Sequence, residues 1–309
     1  MGRGRGPHEV ARAIAFLGGV ATWSELRRTY PARRIRRAVA EGTVIRATRG
    51  RYVLPSAAQH LATAQSRSAV LSHLSAAAHL GWKIKTAPAE AWVTVPRNRK
   101  VPADQRDGIR PHWSEFSDGD VKHGVTTPLR TVLDCARVLP FDEALAVADS
   151  ALRVRAVMRT ELADAARRLR GPGASAVRRV AAHADGRAAN PFESVLRALC
   201  IEEGFDLTPQ VTIAESGLYA EVDLGSEALR LAVEADGFET HGTRRGLRKD
   251  CERHTLFAIH AYSSLRFAYE HVMFEQGWVR WALRSWREVR AGRVPADPPL
   301  RSAGRAKAS

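Results

Sequence analysis

Two short segments hold the residues best able to do chemistry: Glu221-Val222-Asp223-Leu224 and Leu231-Ala232-Val233-Glu234-Ala235-Asp236-Gly237. Each reads as a β-strand. A strand's period of two sends Glu234 and Asp236 to one face, and Leu231, Val233 and Ala235 to the other. Glu221 and Asp223 likewise share a face, with Val222 and Leu224 pointing away. If residues 227–230 close a four-residue hairpin loop, Asp223 stands directly opposite Glu234, with Cβ atoms about 4.5–5.5 Å apart. Like charges so placed destabilise a ladder, and the pattern therefore demands a proton or a cation. Clustered hard oxygens suit Mg²⁺ or Mn²⁺. The bland alternative is a pair of acids on the wet face of an edge hairpin.

The flanking sequence adds to this pair. Asn190-Pro191-Phe192-Glu193 opens a helix: Asn190 is a good N-cap, Pro191 suits the first helical position, and Val195, Leu196 and Leu199 form an apolar stripe. Glu193 is at the third helical position, where its carboxylate can cap the Asn190 backbone, and where it can also serve as a further active-site acid. After the hairpin come His241 and a basic run from Arg244 to Arg253 that includes Arg248. Those cations either neutralise nucleic-acid phosphates beside the acids or form a solvated helix face.

The stretch from Asn190 to about Trp281 resembles the endonuclease-like domain family related to very-short-patch mismatch-repair endonucleases, within the PD-(D/E)XK superfamily. The matching residues are Pro191-Phe192-Glu193, Gln210, Val222-Asp223-Leu224, Val233-Glu234-Ala235-Asp236-Gly237, His241, the spacing from Asp250 to Arg253, and Leu265-Arg266-Phe267. The chain departs from the pattern in two places. Asp236 stands where the superfamily motif has lysine, and Ala261-Tyr262-Ser263 stands where relatives often have Gly-Trp. The resemblance implies metal-assisted phosphodiester hydrolysis, in which Asp223 and Glu234 bind Mg²⁺ (or Mn²⁺) and Glu193 or Asp236 completes the shell. His241 would then act as a general acid or steady a phosphate.

A chain of 309 residues exceeds the usual size of a single core, and two or three domains are expected. Its net charge of +15 favours a polyanionic partner. Residues 1–60 carry twelve arginines against three glutamates. The arginines are arranged. Residues 8–19 read as an apolar helix closed by glycines, Thr22-Trp23-Ser24-Glu25 as a capping box, and Pro31 as the start of a third helix ending before Gly42. On that helix Ile35, Ala38 and Val39 point inward, leaving Arg33, Arg34 and Arg37 outside. A hairpin follows, with Arg46, Arg49 and Arg51 around its tip. Three helices and a basic wing make a winged helix-turn-helix pattern, and this part resembles the N-terminal domain of AbiEi-type antitoxins.

The expected fold is therefore a multidomain α+β and α/β chain. It comprises a winged helix-turn-helix (1–60), an AbiEi-like α+β middle domain (61–155), a helical linker (156–188), a restriction-endonuclease-like α/β domain with a mixed central sheet (189–290) and a disordered tail (291–309). His73, His79, His112 and His123 have no ligand spacing, so packing or surface roles are expected for them. Three isolated cysteines argue against zinc and disulfides and fit a reducing cytoplasm. No signal core or membrane-length apolar run is evident. DNA is the expected partner, with a homodimer or a toxin-like protein as further possibilities. The reading from a different class is an antitoxin or transcriptional regulator whose nuclease fold is inactive.

Overall fold

The computed structural model describes residues 8–17, 19–48, 50–236 and 244–299. The chain forms two compact units, Met1–Ser194 and Val195–Ser309. It is a mixed α+β protein, with thirteen α-helices and three sheets among the described residues. No helix among them is long and apolar enough to cross a membrane.

The first unit begins with α1 (His8–Phe16), β1 (Val20–Thr22), α2 (Trp23–Thr29), α3 (Ala32–Ala40), β2 (Ile45–Thr48) and β3 (Arg51–Val53). The strands form an antiparallel sheet in the order β1-β3-β2. The expected capping box starts α2: the Glu25 carboxylate accepts the Thr22 N–H at 2.8 Å, and Thr22 Oγ1 accepts the Glu25 N–H. Val10, Ile14, Leu26, Ile35, Ala38, Val44 and Tyr52 meet in one small core.

The same unit continues through α4 (Pro55–Ser66), β4 (Val70–Leu71), α5 (His73–His79), β5 (Ala91–Val95), β6 (Ile109–Trp113), β7 (Val121–Lys122) and β8 (Val125–Thr126). Its mixed sheet runs β6-β5-β4-β8-β7. Four helices follow: α6 (Pro128–Val138), α7 (Phe141–Arg153), α8 (Arg159–Arg168) and α9 (Ala174–His183). Residues 156–188 are not a linker. Val157, Leu162, Ala166, Val177, Val180, Ala181 and Ala184 are buried in one core with α5, α6 and α7.

The division between units falls within α10 (Pro191–Glu202). The second unit then holds β9 (Thr208–Glu215), β10 (Leu218–Ser226), β11 (Leu231–Asp236), α11 (Arg244–Ile259), β12 (Ser263–Ala268), α12 (Tyr269–Met273) and α13 (Gln276–Arg290). The sheet order is β12-β11-β10-β9. β9, β10 and β11 form an antiparallel meander, and β12 joins β11 in parallel after the α11 crossover. On α13, Val279 and Leu283 are buried, while Arg280 and Arg284 pair with Glu202 and Glu203 at the end of α10. In the expected tail, residues 291–299 carry no helix or strand, and Ala296 O accepts the Trp281 indole N–H at 2.8 Å.

Candidate active site

The four-residue loop from Glu227 to Arg230 is present, with Arg230 N–H donating to Glu227 O at 3.0 Å. It fixes the register Leu224↔Val233, Gly225↔Ala232 and Ser226↔Leu231. Extending that register by one residue sets Asp223 opposite Glu234. β11 lies inside the sheet, not at its edge, and residues Leu231 to Glu234 are all buried. The acids therefore do not sit on a wet edge hairpin. Glu234 is only 6% exposed.

Asp223 is held from two sides. Its Oδ2 accepts the Ala235 backbone N–H at 2.8 Å, and its Oδ1 accepts Gln210 Nε2 at 3.4 Å. Burial pushes its carboxyl above the ordinary range; the Ala235 and Gln210 donors oppose the rise, and the Asp236 charge adds to it. Burial also raises Glu234, against the pull of Arg253 and Arg266 and with the push of Asp236 and Asp223. Arg253 Nη2 lies 2.8 Å from Glu234 Oε1, close enough for an ion pair but without hydrogen-bond geometry. Glu234 Oε1 is thus a buried oxygen held by charge alone, and Arg253 Nε is buried without an acceptor.

Asp236 has its own cation. Arg266 grips both carboxylate oxygens, Nε to Oδ2 at 2.5 Å and Nη2 to Oδ1 at 2.7 Å. Its Nη1 reaches His254 Nε2, which must therefore accept, leaving the imidazole proton on Nδ1. Burial and the two neighbouring arginines lower His254 accordingly.

Among the described residues, no three or more His, Cys, Asp or Glu side chains are grouped to hold a metal ion. Mg²⁺ does not require such a group: it is commonly held by one or two carboxylates and keeps several waters. The Asp223–Glu234 pair matches that donor set in type and number, with Arg253 now on Glu234 Oε1.

The remaining expected site residues are distributed differently. The Glu193 carboxylate accepts from Ala189 N–H and Asn190 Nδ2, each at 2.7 Å, which is the helix-capping role. Arg253 was expected to face nucleic acid and instead lies on Glu234 and donates to Glu221 O. Arg248 is exposed and pairs with Glu252. His241 and Arg49 lie outside the described residues.

In the first unit, α3 shows an exposed arginine face that differs by one member from the expected one. Arg33, Arg36 and Arg37 are exposed, whereas Arg34 leans to Glu9 at 3.5 Å. Helical geometry explains the exchange. At 100° per residue, positions 33, 36 and 37 span the arc opposite Ile35 and Ala38, and position 34 lies about 60° past its end. Arg37 pairs with Glu41 at 2.6 Å. Arg36 and Arg46 also line a concavity of about 460 Å³ with Trp23, Val39, Gly50 and Tyr52. Arg51 is exposed.

No family model matches the chain. Two uncharacterized proteins from two strains of Mycobacterium tuberculosis are each 34% identical over 132 residues, covering 41% of this chain and 48% of theirs. The chain thus spans about half the length of the curated relatives it matches. Among solved structures, the RV2827C protein from Mycobacterium tuberculosis matches 69% of this chain and 90% of its own, at 13% identity and a TM-score of 0.30.

The roles of three residues of these surfaces escaped the sequence reading. Arg36 was recoverable from helical angles alone. The roles of Arg266 and His254 were not, because Arg266 reaches Asp236 through the parallel register Glu234↔Arg266 and His254 meets Arg266 through the packing of α11.

Proposed function

We propose that the protein is a DNA-binding, Mg²⁺-dependent endonuclease in which Asp223 and Glu234 hold the ion. The observation that carries this reading is the pair itself. Two carboxylates face each other across neighbouring strands, Glu234 buried and Asp223 half-buried, and both are pushed toward their neutral forms. Bound between them, Mg²⁺ or Mn²⁺ would supply an activated water and neutralise charge on the scissile phosphate.

The chain's own residues set the stage for that chemistry. Gln210 and the Ala235 N–H orient Asp223, so its oxygens are fixed before any ligand arrives. Asp236, gripped by Arg266, is a positioning residue and not a third ligand. Arg33, Arg36, Arg37, Arg46 and Arg51 would neutralise phosphates through a winged-helix face, the arrangement that α1–α3 and the β1-β3-β2 sheet support.

Arg253 supports a second reading. A cation already beside Glu234 suits a nuclease fold that only binds DNA, as in an antitoxin or transcriptional regulator. The two readings separate on supercoiled plasmid incubated with the protein in Mg²⁺, Mn²⁺ or EDTA. Nuclease action gives metal-dependent cutting that Asp223→Asn and Glu234→Gln abolish while binding survives. Equal cutting by wild type and both variants assigns the activity to a contaminant. Absence of cutting, with binding that is lost on changing Arg33, Arg36 and Arg37, leaves the regulator.

A further inference from the structure

A concavity of about 460 Å³ lies within the first unit, between α3, the start of α2 and the β2–β3 hairpin. Its lining is Trp23, Arg36, Val39, Arg46, Gly50 and Tyr52, with no carboxylate among them. Local geometry brings these six together. Arg36 and Val39 are three positions apart on α3 and so share one side of it. Arg46 pairs directly with Tyr52 across β2 and β3, and both side chains leave the same face of the sheet. The Trp23 N–H donates to Gly50 O at 2.8 Å, which ties the start of α2 to the hairpin turn. Nothing lies within 4 Å of where a Cβ on Gly50 would stand, so that end of the concavity is open.

The lining has a charged part and an aromatic part. Arg36 and Arg46 are exposed, and neither has a hydrogen-bond or ion-pair partner among the described residues. Trp23 and Tyr52 pack with ring centroids 6.1 Å apart and planes tilted by 32°. Tyr52 is only 6% exposed, yet its hydroxyl has no partner among the described residues, and neither has the Trp23 indole N–H. Both atoms nevertheless reach accessible surface.

A paired duplex backbone asks only for the exposed guanidiniums. It gives no use to a recessed aromatic pair whose two polar atoms are left for a ligand. An unstacked nucleotide uses both parts, since its base has a flat face and a polar edge and its phosphate is an anion. The volume is that of a small-molecule site. We propose that the concavity takes up one unpaired nucleotide of a DNA strand. The base lies against Trp23 with its polar edge on the Tyr52 hydroxyl, and the phosphate meets Arg36 and Arg46. This inference rests on the DNA-binding reading of the first unit and is independent of the carboxylate pair on β10 and β11. The nucleotide belongs either to a single strand or to a bulge in a duplex, and the same contacts serve both.

Fluorescence anisotropy of the full chain, in EDTA so that no strand is cut, tests it on three labelled DNAs. They are a paired duplex, the same duplex with one extra unpaired nucleotide, and its single strand. The bulged duplex or the single strand should bind at least about fivefold more tightly than the paired duplex, the low end of what stacking one base on an aromatic ring gives. Whichever binds more tightly assigns the site to bulges or to strands. Trp23→Leu should remove the preference and leave the affinity for the paired duplex nearly unchanged, and Trp23→Phe should recover part of it. Trp23 also packs against the small core, so Tyr52→Phe serves as a second variant that keeps the ring and removes only the hydroxyl. It too should lower the preference. Arg46→Ala should weaken all three DNAs. Equal affinity for paired and unpaired DNA, or a preference unmoved by both Trp23→Leu and Tyr52→Phe, would overturn this inference and leave the DNA-binding reading standing. Absence of binding to all three DNAs would end both.

Discussion

At Asp223, burial and hydrogen bonding oppose each other. Its folded carboxyl is raised, chiefly by burial, so the folded chain holds the protonated form more readily than the unfolded chain does. Stability from this group is therefore fullest below the unfolded value, about 3.9, and is lost as pH rises through the higher folded value. Asp223→Asn removes that loss while its amide oxygen can still accept the Ala235 N–H. Without divalent ions the variant should melt above wild type at about pH 8, and the gap should close toward about pH 4. Millimolar Mg²⁺ should then raise the Tm of wild type only, because an ion that binds the folded state stabilises it by mass action. A variant that melts below wild type at high pH, or responds equally to Mg²⁺, would count against the site. The facing of Asp223 and Glu234 was legible in the sequence because a strand's period and a four-residue loop are local quantities. Arg253 and Arg266 were not legible as their counter-charges. Both come from elements beyond the hairpin, and a parallel crossover has no local turn chemistry to set its register.

At the scale of elements, α8 and α9 show where pattern reading fails. Gly171-Pro172-Gly173 and the Ala/Arg-rich flanks look like a linker, because alanine marks an inward face weakly. The helices nevertheless bury Leu162, Ala165, Ala166, Val177, Val180 and Ala181. Leu162→Ala should therefore cost about 2–5 kcal/mol in denaturant unfolding of the first unit. An exposed linker helix would lose within about 0.5 kcal/mol. α3 gives the opposite lesson, since its inward stripe and its end were both legible and only the membership of its outer face shifted. Arg36→Ala should weaken DNA binding and lower the slope of log affinity against log salt by about 0.9, as expected for one lost phosphate contact. Arg34→Ala, whose partner is Glu9, should change that slope much less. Equal slopes for the two variants would return the face to its sequence-derived membership.

For the whole molecule, a net charge of +15 says only that polyanions are attracted; the division of labour between two compact units is a sharper claim. The arginine face belongs to Met1–Ser194, and the carboxylate pair to Val195–Ser309. Under the proposed function, the first group supplies encounter and retention, and the second supplies the chemical step. Replacing all three arginines by alanine should raise the DNA concentration needed for half-maximal cutting and leave the saturated rate nearly unchanged, the signature of lost uniform binding. Asp223→Asn should abolish the saturated rate and leave binding, with its steep salt dependence, in place. A milder partner for a quantitative cycle is Gln210→Ala, which loosens Asp223 without removing it. Combined with the arginine changes, its effect on kcat/KM should add to theirs within about 0.5 kcal/mol, as independent sites do. A coupling well above that value would mean that retention and hydrolysis act as one device and that the two groups cannot be assigned separate roles.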